Sequence, residues 1–171
     1  MIQLINLRPA LDSDSDVLFE WINNRDLVVF NAPFRTISSA EHDAWFARIR
    51  TEESATFFII EDVKTGIAIG SCQLLNIHPT HRSAELQIRI GAIDFQNLGA
   101  GSEAVGKLTD YGFKVLNLRR ISLHVFATNT RAIRTYEKNG YIHEGRLRQA
   151  IRINECWVDV ICMAKIRGVD D

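Results

Sequence analysis

The most informative part of this chain is the glycine-rich sequence Gln96-Asn97-Leu98-Gly99-Ala100-Gly101. It follows a strand-like segment at residues 84–91 and precedes an apolar-periodic run that predicts a helix over residues 102–116. A glycine-rich turn at a helix start exposes several main-chain N–H groups, and the helix dipole adds partial positive charge at the same place. The stretch therefore predicts an anion site, with a pyrophosphate as the natural guest.

Two common phosphate-binding patterns fit this stretch poorly. Gly99-x-Gly101-x-x-Ala104 matches the dinucleotide fingerprint, but that fold needs a carboxylate at the end of the next strand, and residues 121–129 contain none. The run from Gly101 to Lys107 nearly matches a nucleotide-triphosphate loop, yet Leu108 stands where a magnesium-binding hydroxyl belongs. Neither pattern explains the stretch.

A third pattern carries a family resemblance. Gln96-x-x-Gly99-x-Gly101 resembles the pyrophosphate-binding motif of the GNAT acetyltransferases, and residues 129–141 (Asn-Thr-Arg-Ala-Ile-Arg-Thr-Tyr-Glu-Lys-Asn-Gly-Tyr) resemble that family's second signature. One helix and one strand separate the two, which is the family's usual spacing. The resemblance implies acetyl-CoA as cosubstrate, with its pyrophosphate held by main-chain N–H groups and the side chains incidental. The residues so implied are Gln96, Asn97, Leu98, Gly99, Ala100, Gly101 and Ser102.

The resemblance extends over nearly the whole chain, but its two halves point to different branches. Residues 144–148 and 156–163 resemble the branch of ribosomal-protein N-terminal and spermidine acetyltransferases. Residues 21–24 and 37–46 resemble acetyltransferases that act on amino groups of nucleotide-linked deoxysugars, although Ile22 departs from the arginine often found there.

Length and composition are those of an ordinary globular protein. The chain has 171 residues, 46% of them hydrophobic and 24% charged, and a net charge of −1. These values predict one domain over residues 1–171 and no global attraction to nucleic acid or to an anionic membrane. The chain shows no signal-peptide pattern and no long apolar run, and its three cysteines are far apart. These features predict a cytoplasmic protein.

Periodicity along the chain predicts an α/β fold with a mixed, mostly antiparallel sheet flanked by helices. Helix starts are indicated by the capping cluster at residues 12–15, the capping box Ser38-x-x-Glu41, and Asn129, which can cap a helix that ends before Gly140. Strands joined by short turns predict an antiparallel meander before the phosphate turn. The predicted strands cover residues 2–8, 56–61, 67–77, 84–91, 120–126, 141–148 and 156–164.

Tyr136 and Glu85 are the predicted catalytic residues. In the family that this chain resembles, a tyrosine at the position of Tyr136 points at the thioester sulfur. A phenol with an ordinary pKa of about 10 can donate a proton to the departing thiolate. Glu85 begins the strand that would split from its neighbour to admit pantetheine, and its carboxylate, directly or through water, would take the proton of the attacking amine. A core tyrosine and a solvated strand-edge glutamate are the structural alternatives.

Four further residues are implied as coenzyme contacts by the resemblance. The main-chain groups of Arg89 and Ile90 would pair with the pantetheine amides as an added strand would. An extra residue between Glu85 and Gln96, relative to close family patterns, shifts that register by up to one position. Asn129 would touch the coenzyme as well as cap its helix, and Ala132 belongs to the same signature.

The remaining polar residues have plain structural interpretations. His78-x-x-His81 lacks the further ligands that a zinc site needs, so no metal site is predicted. His42 is expected on the polar surface of its helix. Arg146, Arg148 and Arg152 are interpreted as a charged hairpin face, with a phosphate-binding role as the alternative.

The predicted function is transfer of an acetyl group from acetyl-CoA to a primary amine by direct attack. A small-molecule acceptor such as a nucleotide-linked amino sugar is the first hypothesis, and a protein N-terminus or a polyamine is the alternative. An open, acidic-lined groove would favour peptide or polyamine, whereas a closed pocket with basic residues would favour a nucleotide sugar. A non-catalytic CoA-binding regulatory module is the hypothesis from another class, and a homodimer is considered because members of this family often dimerise.

Overall fold

Seven strands pair into one sheet in a computed structural model, which describes residues 3–169. The sheet order is β1-β2-β3-β4-β5-β7-β6, and β4 with β5 is the one parallel pair in the described part of the chain. The predicted mixed, mostly antiparallel sheet is therefore confirmed. Its strands are β1 (Ile5–Pro9), β2 (Thr56–Asp62), β3 (Ala68–His78), β4 (Ser83–Ile90), β5 (Arg120–Phe126), β6 (Ile142–Ile153) and β7 (Cys156–Ile166).

Helices cover both faces of this sheet. Ser38 caps the third of them through a reciprocal capping box with Glu41, and Asn129 caps the fifth by accepting from the N–H of Ala132, as the sequence predicts. The helices are α1 (Ser15–Asn23), α2 (Arg25–Val28), α3 (Ser39–Ile49), α4 (Ala100–Lys114) and α5 (Thr130–Lys138), with short 3-10 turns at Asp12–Asp14 and Ile93–Phe95.

Most predicted boundaries agree with the structure to within two residues, but β6 runs to Ile153, five residues beyond its predicted end, and the N-terminal region differs as well. The first strand was expected from residue 2, but Ile2 lies outside the described residues and β1 begins at Ile5. The carboxylate of Asp14 does not cap α1, because it accepts two hydrogen bonds from the guanidinium of Arg8 and one from the N–H of Leu11. Burial alone would raise the pKa of Asp14, but these hydrogen bonds outweigh it and lower the pKa.

Apolar residues pack against both faces of the sheet. On one face α4 buries side chains such as Leu108 against Ile121 and Leu123 of β5, all within 1% of full burial. On the other face Trp21 of α1 and Phe46 of α3 cover Ile59 of β2. Because side chains alternate along a strand, β4 gives its apolar residues to the α4 face and its polar residues to the opposite face.

The parallel pair β4–β5 separates after a short contact. Ser83–Glu85 pair with Arg120–Ser122, and no pairing continues between the later residues of these strands. Beyond the end of β4 the N–H groups of Gly91 and Ala92 both donate to the carbonyl of Ile69, at 2.9 and 3.0 Å, which forms a bulge. The bulge turns the chain out of the sheet and into the glycine-rich loop.

The described residues contain no helix that is long and apolar enough to cross a membrane. The cytoplasmic location, the single domain over residues 1–171 and the homodimer stay predictions.

The Gly91→Ala variant is expected to lower the free energy of unfolding, because the ring of Trp21 occupies the space of the new methyl group. A Cβ built on Gly91 would lie 2.1 Å from a ring atom of Trp21. Overpacking of this kind costs about 1–3 kcal/mol. Chemical denaturation would measure it, with Gly145→Ala as the matched control, since nothing lies within 4 Å of a Cβ at Gly145. Equal stability of the two variants would contradict this account of the bulge.

Candidate active site

A cavity of about 330 Å³ lies where the glycine-rich loop meets the first turns of α4 and α5. Its wall includes the end of β4 and a segment that follows α2. Ten of the thirteen predicted site residues line it, namely Arg89, Ile90, Gln96, Asn97, Gly99, Gly101, Ser102, Asn129, Ala132 and Tyr136. The two sequence motifs, 35 residues apart at Gln96 and Arg131, are brought into contact there.

The loop adopts a conformation that presents its main-chain N–H groups. Asn97 and Gly99 have positive φ angles of 64° and 92°, and Gly99 is the N-cap of α4. Within the described residues, none of the N–H groups from Asn97 to Ser102 donates to a main-chain carbonyl outside the helix. The first hydrogen bond of the helix comes after them and runs from the N–H of Glu103 to the carbonyl of Gly99. A row of free N–H groups at the start of a fifteen-residue helix is a favourable place for an anion, so the anion site stays the prediction made from sequence.

Side chains of the loop hold it in its conformation. Gln96 donates from Nε2 to the carbonyl of Ile90 at 3.2 Å, so it ties the loop to the end of β4. Arg131 of α5 donates to Oε1 of Gln96 at 3.0 Å and to Oδ1 of Asn97 at 3.4 Å. These bonds hold the loop in place, and they put the positive charge of Arg131 beside its N–H groups, together with that of Arg134 and Lys138 in the same wall.

Three predicted residues do not line this cavity. Leu98 points outward with 63% of its surface exposed, and Ala100 is buried under the loop at 4%. Both still belong to the row of N–H groups, which is the role the sequence predicted for them. Glu85 lies in the second cavity described below.

Main-chain groups of β4 face the space between the split strands. The N–H of Gly91 faces β3, where it donates to Ile69. Since main-chain groups alternate along a strand, those of Arg89 also face β3, whereas those of Ile88 and Ile90 face the split. A main-chain contact of Arg89 or Ile90 with pantetheine stays a prediction, and this register favours Ile88 and Ile90 as the residues whose main-chain groups are open to the split.

Asn129 joins α5 to the segment after α2. It accepts from Ala132 at 3.2 Å as a helix cap, and its Nδ2 donates to the carbonyl of Phe30 at 3.2 Å. The side chain is 7% exposed and both of its ends are used. The capping role predicted from sequence is confirmed, and contact with a coenzyme stays a prediction.

A second cavity of about 910 Å³ lies between helices α1 and α3 and the face of the sheet on which β4 carries its polar side chains. Residues of β6 and β7, including Leu147 and Val160, close one side of it. Asn31, Ile88, Arg89 and Tyr136 line both cavities. These four residues mark the junction through which the cavities meet, at the split between β4 and β5.

Tyr136 lies at this junction in an apolar setting. It is 7% exposed, and burial raises the pKa of its hydroxyl to about 12. The residues that the structure describes give this hydroxyl no hydrogen-bond partner. Tyr141 differs, because it is 2% exposed and its hydroxyl lies 2.8 Å from that of Thr109, which makes it a core tyrosine.

Glu85 is the last residue of β4 that pairs with β5 before the split, and its side chain lines the larger cavity. The side chain is 26% exposed, with Nδ1 of His124 at 3.7 Å from its carboxylate. Gln87 donates to the same carboxylate from Nε2 at 3.3 Å. A carboxylate in this position, beside an imidazole and open to the cavity, can accept a proton from a bound amine.

The expectation that His42 is a surface residue was wrong. It is 4% exposed, its Nε2 lies 3.1 Å from Oγ of Ser15, and its ring stacks on Phe46 at 6.0 Å. Its spacing from Trp45, Phe46 and Ile49 is that of one helical stripe, so the signal was present in the sequence. The ring forms part of the larger cavity wall.

The other polar pairs lie outside both cavities. The rings of His78 and His81 stack at 4.1 Å in an exposed turn. Arg146 pairs with Asp159 at 2.6 Å and Arg152 pairs with its neighbour Glu155, which fits a charged hairpin face. Residues 3–169 contain no group of three or more potential metal ligands.

The sequence is similar to those of known acetyltransferases. A family model described as an acetyltransferase (GNAT) domain matches residues 5–142. Spermidine N(1)-acetyltransferase of Vibrio cholerae is 31% identical over 158 residues, which cover 91% of this chain and 89% of the relative. Acetyltransferase PseH of Campylobacter jejuni is 25% identical over 143 residues, which cover 82% of this chain and 85% of the relative.

A solved structure has the same fold along the whole chain. The crystal structure of spermidine N-acetyltransferase from Vibrio cholerae in complex with CoA and spermine aligns with a TM-score of 0.88 at 30% identity, and 96% of each chain is covered. The site described above therefore lies on a fold that this chain shares with the Vibrio cholerae enzyme. It comprises the glycine-rich loop, the split pair β4–β5 and Tyr136 at the junction of the two cavities. The chain belongs to the GNAT family and is an acetyl-CoA-dependent N-acetyltransferase.

Proposed function

We propose that this enzyme acetylates a primary amine of a small molecule that binds in the larger cavity, by direct attack of the amine on the thioester. The observation that carries the proposal is the junction of the two cavities, where Tyr136 belongs to both walls. A coenzyme in one cavity and an amine in the other would meet there. Holding two reactants in this way removes much of the entropic barrier of a bimolecular reaction.

The coenzyme would bind from the loop toward the junction. Its pyrophosphate would accept hydrogen bonds from the N–H groups of residues 97–102, with Arg131 adding charge. Its pantetheine arm would enter the split and pair with the main-chain groups of Ile88 and Ile90, like a strand added to an open sheet edge. The thioester would then lie beside Tyr136.

Two side chains would handle the protons of the reaction. An alkyl amine with a pKa of about 10 is protonated at neutral pH, so Glu85, directly or through a water, would take one proton before attack. Tyr136 would donate to the sulfur as the thiolate departs. Because burial raises the pKa of Tyr136 to about 12, the phenol is protonated at neutral pH and can act as an acid.

The charges of the larger cavity favour an acceptor with acidic groups, such as a nucleotide-linked amino sugar. Three arginines line the cavity, Arg35, Arg48 and Arg89, against the two carboxylates Glu41 and Glu85. A polyamine is the second candidate, and the specific observation in its favour is the likeness to a spermidine N(1)-acetyltransferase at 31% identity. For a polyamine, the two carboxylates would have to bind its ammonium groups.

Panels of amines would test both acceptor classes by release of free thiol from acetyl-CoA. Nucleotide-linked amino sugars are expected to be the better substrates, with spermidine and an N-terminal peptide at least 10-fold lower in kcat/KM. Spermidine as the best substrate would contradict the first candidate and favour the second. Demonstrable CoA binding with no thiol release from any panel would contradict the proposed function itself.

Tyr136→Phe is expected to lower kcat about 10²–10⁴-fold, the range for loss of a general acid. The apolar ring stays in place, so CoA affinity and stability are expected to change little. Tyr141→Phe is the matched control. It removes a buried hydrogen bond to Thr109, so it should lower stability by about 1 kcal/mol and leave kcat unchanged. Unchanged turnover of Tyr136→Phe would remove the phenol from the mechanism.

Glu85→Gln is expected to lower kcat/KM about 10²–10⁴-fold near pH 7, because the amide cannot take a proton. The loss should shrink as the pH rises toward about 10, where the solvent itself deprotonates an amine. A pH profile of both enzymes would measure it, with Glu53→Gln, an exposed glutamate outside both cavities, as the control. A deficit that stays constant with pH would assign Glu85 a role in binding only.

A further inference from the structure

The charged side chains around the larger cavity are not balanced. The ionisable residues in its wall are Arg35, Glu41, His42, Arg48, Glu85, Arg89 and His124. Both carboxylates already have a neighbour, since Arg35 lies 2.7 Å from Glu41 and His124 lies 3.7 Å from Glu85. The other two arginines have no carboxylate partner among the residues that the structure describes.

Arg89 is the less exposed member of this pair, at intermediate burial, whereas Arg48 is exposed. Its Nε is sealed from solvent and has no hydrogen-bond partner, and none of its guanidinium nitrogens donates to another residue in the described chain. Burial lowers the pKa of this guanidinium, with no opposing charge to offset the effect. A partly buried cation without a partner is costly, and an anionic group of a ligand would offset that cost.

The position of Arg89 indicates which ligand that is. Side chains alternate along β4, so Arg89 lies on the same face as Glu85 and Gln87, which is the face that forms the floor of the larger cavity. Arg89 also lines the smaller cavity, but the anion loop there has cations of its own, Arg131 among them. The pyrophosphate of the coenzyme therefore already has its donors, and the acceptor does not.

The guanidinium group of Arg89 limits the chemical groups that the ligand can present to it. A guanidinium presents a planar fork of N–H donors that matches a carboxylate or a phosphate in a bidentate contact. Beside it, Oε1 of Gln73 is also buried without a hydrogen-bond partner and lies in the same wall, so a hydroxyl or ammonium donor fits next to the oxyanion.

We propose that Arg89 is a specificity-determining residue that binds a carboxylate or phosphate of the acceptor, so that the acceptor is an amine carrying an oxyanion. The inference rests on the proposed function, because it takes the larger cavity as the acceptor site. This inference distinguishes the enzyme from a polyamine acetyltransferase, because the charged groups of a polyamine are all positive. Amines without an acidic group are predicted to be poor substrates.

The first test uses matched acceptors on the wild-type enzyme and on Arg89→Met, which keeps much of the apolar stem and removes the charge. Glucosamine 6-phosphate against glucosamine probes a phosphate, and 4-aminobutyrate against butylamine probes a carboxylate. The wild type is expected to prefer one acidic member at least 10-fold in kcat/KM, and Arg89→Met to lose that preference. Arg89→Lys, which keeps the charge without the fork, should be intermediate.

Two outcomes of this test would overturn the inference. One is an equal loss of kcat/KM for acidic and neutral amines in Arg89→Met, which would place Arg89 at the thioester rather than at the acceptor. The other is a wild-type preference for spermidine over both acidic amines. Either outcome leaves acetyl transfer itself intact, so the two proposals fail separately.

A second test needs no turnover and is made with CoA at saturation, so that the anion loop is filled. Inorganic phosphate or acetate is expected to raise the Tm of the wild type and not that of Arg89→Met. Without added anion, Arg89→Met should be at least as stable as the wild type, because an unpaired and partly buried charge has been removed. A purely structural arginine would give the opposite result, a lower Tm and no anion effect. Arg50→Met, a surface arginine outside both cavities, is the matched control.

Discussion

The separation of β4 from β5 after Glu85 is the constraint on which the rest of the structure depends. Two parallel strands that part leave a row of unpaired main-chain groups inside the molecule, and such groups are costly unless a ligand or water satisfies them. The split therefore defines where an extended ligand enters. It also sets the positions of both cavities, because the residues at its edges, Ile88 and Tyr136 among them, belong to both walls.

Several contacts keep the split open in a defined shape. The bulge at Ile69 turns β4 outward, and the ring of Trp21 packs directly on Gly91 so that no side chain fits between them. On the opposite side, Glu103 of α4 accepts from the N–H of Leu4 at 2.9 Å, and Lys107 donates to the carbonyl of Ile5 at 2.5 Å. These bonds fasten the helix that carries the anion loop to the far edge strand of the sheet. The loop thus stands on a rigid support, as a preorganised site requires.

The sequence allowed much of the fold and of the coenzyme side to be predicted, because those features depend on short-range patterns. A capping box at Ser38, a cap at Asn129 and the glycine-rich loop at Gly99 are local arrangements of the main chain, and each formed as expected. His42 was placed wrongly because a polar residue was assumed to be exposed, although its spacing followed the apolar stripe of α3. The main-chain direction of Arg89 depended on the register with β3, which no local pattern records.

By itself, the sequence determined the class of fold, the anion loop, the family resemblance and the tyrosine at position 136, since each rests on residues close together in the chain. Only the tertiary structure decided what the acceptor cavity contains. Its wall is assembled from α1, α3, α5, strands β2 to β7 and the segment between α2 and α3. Pairs such as Arg35 with Glu41 cancel there while Arg89 stays unpaired. Charge balance in a cavity is a sum over residues far apart in sequence, so it exists only once the chain has folded.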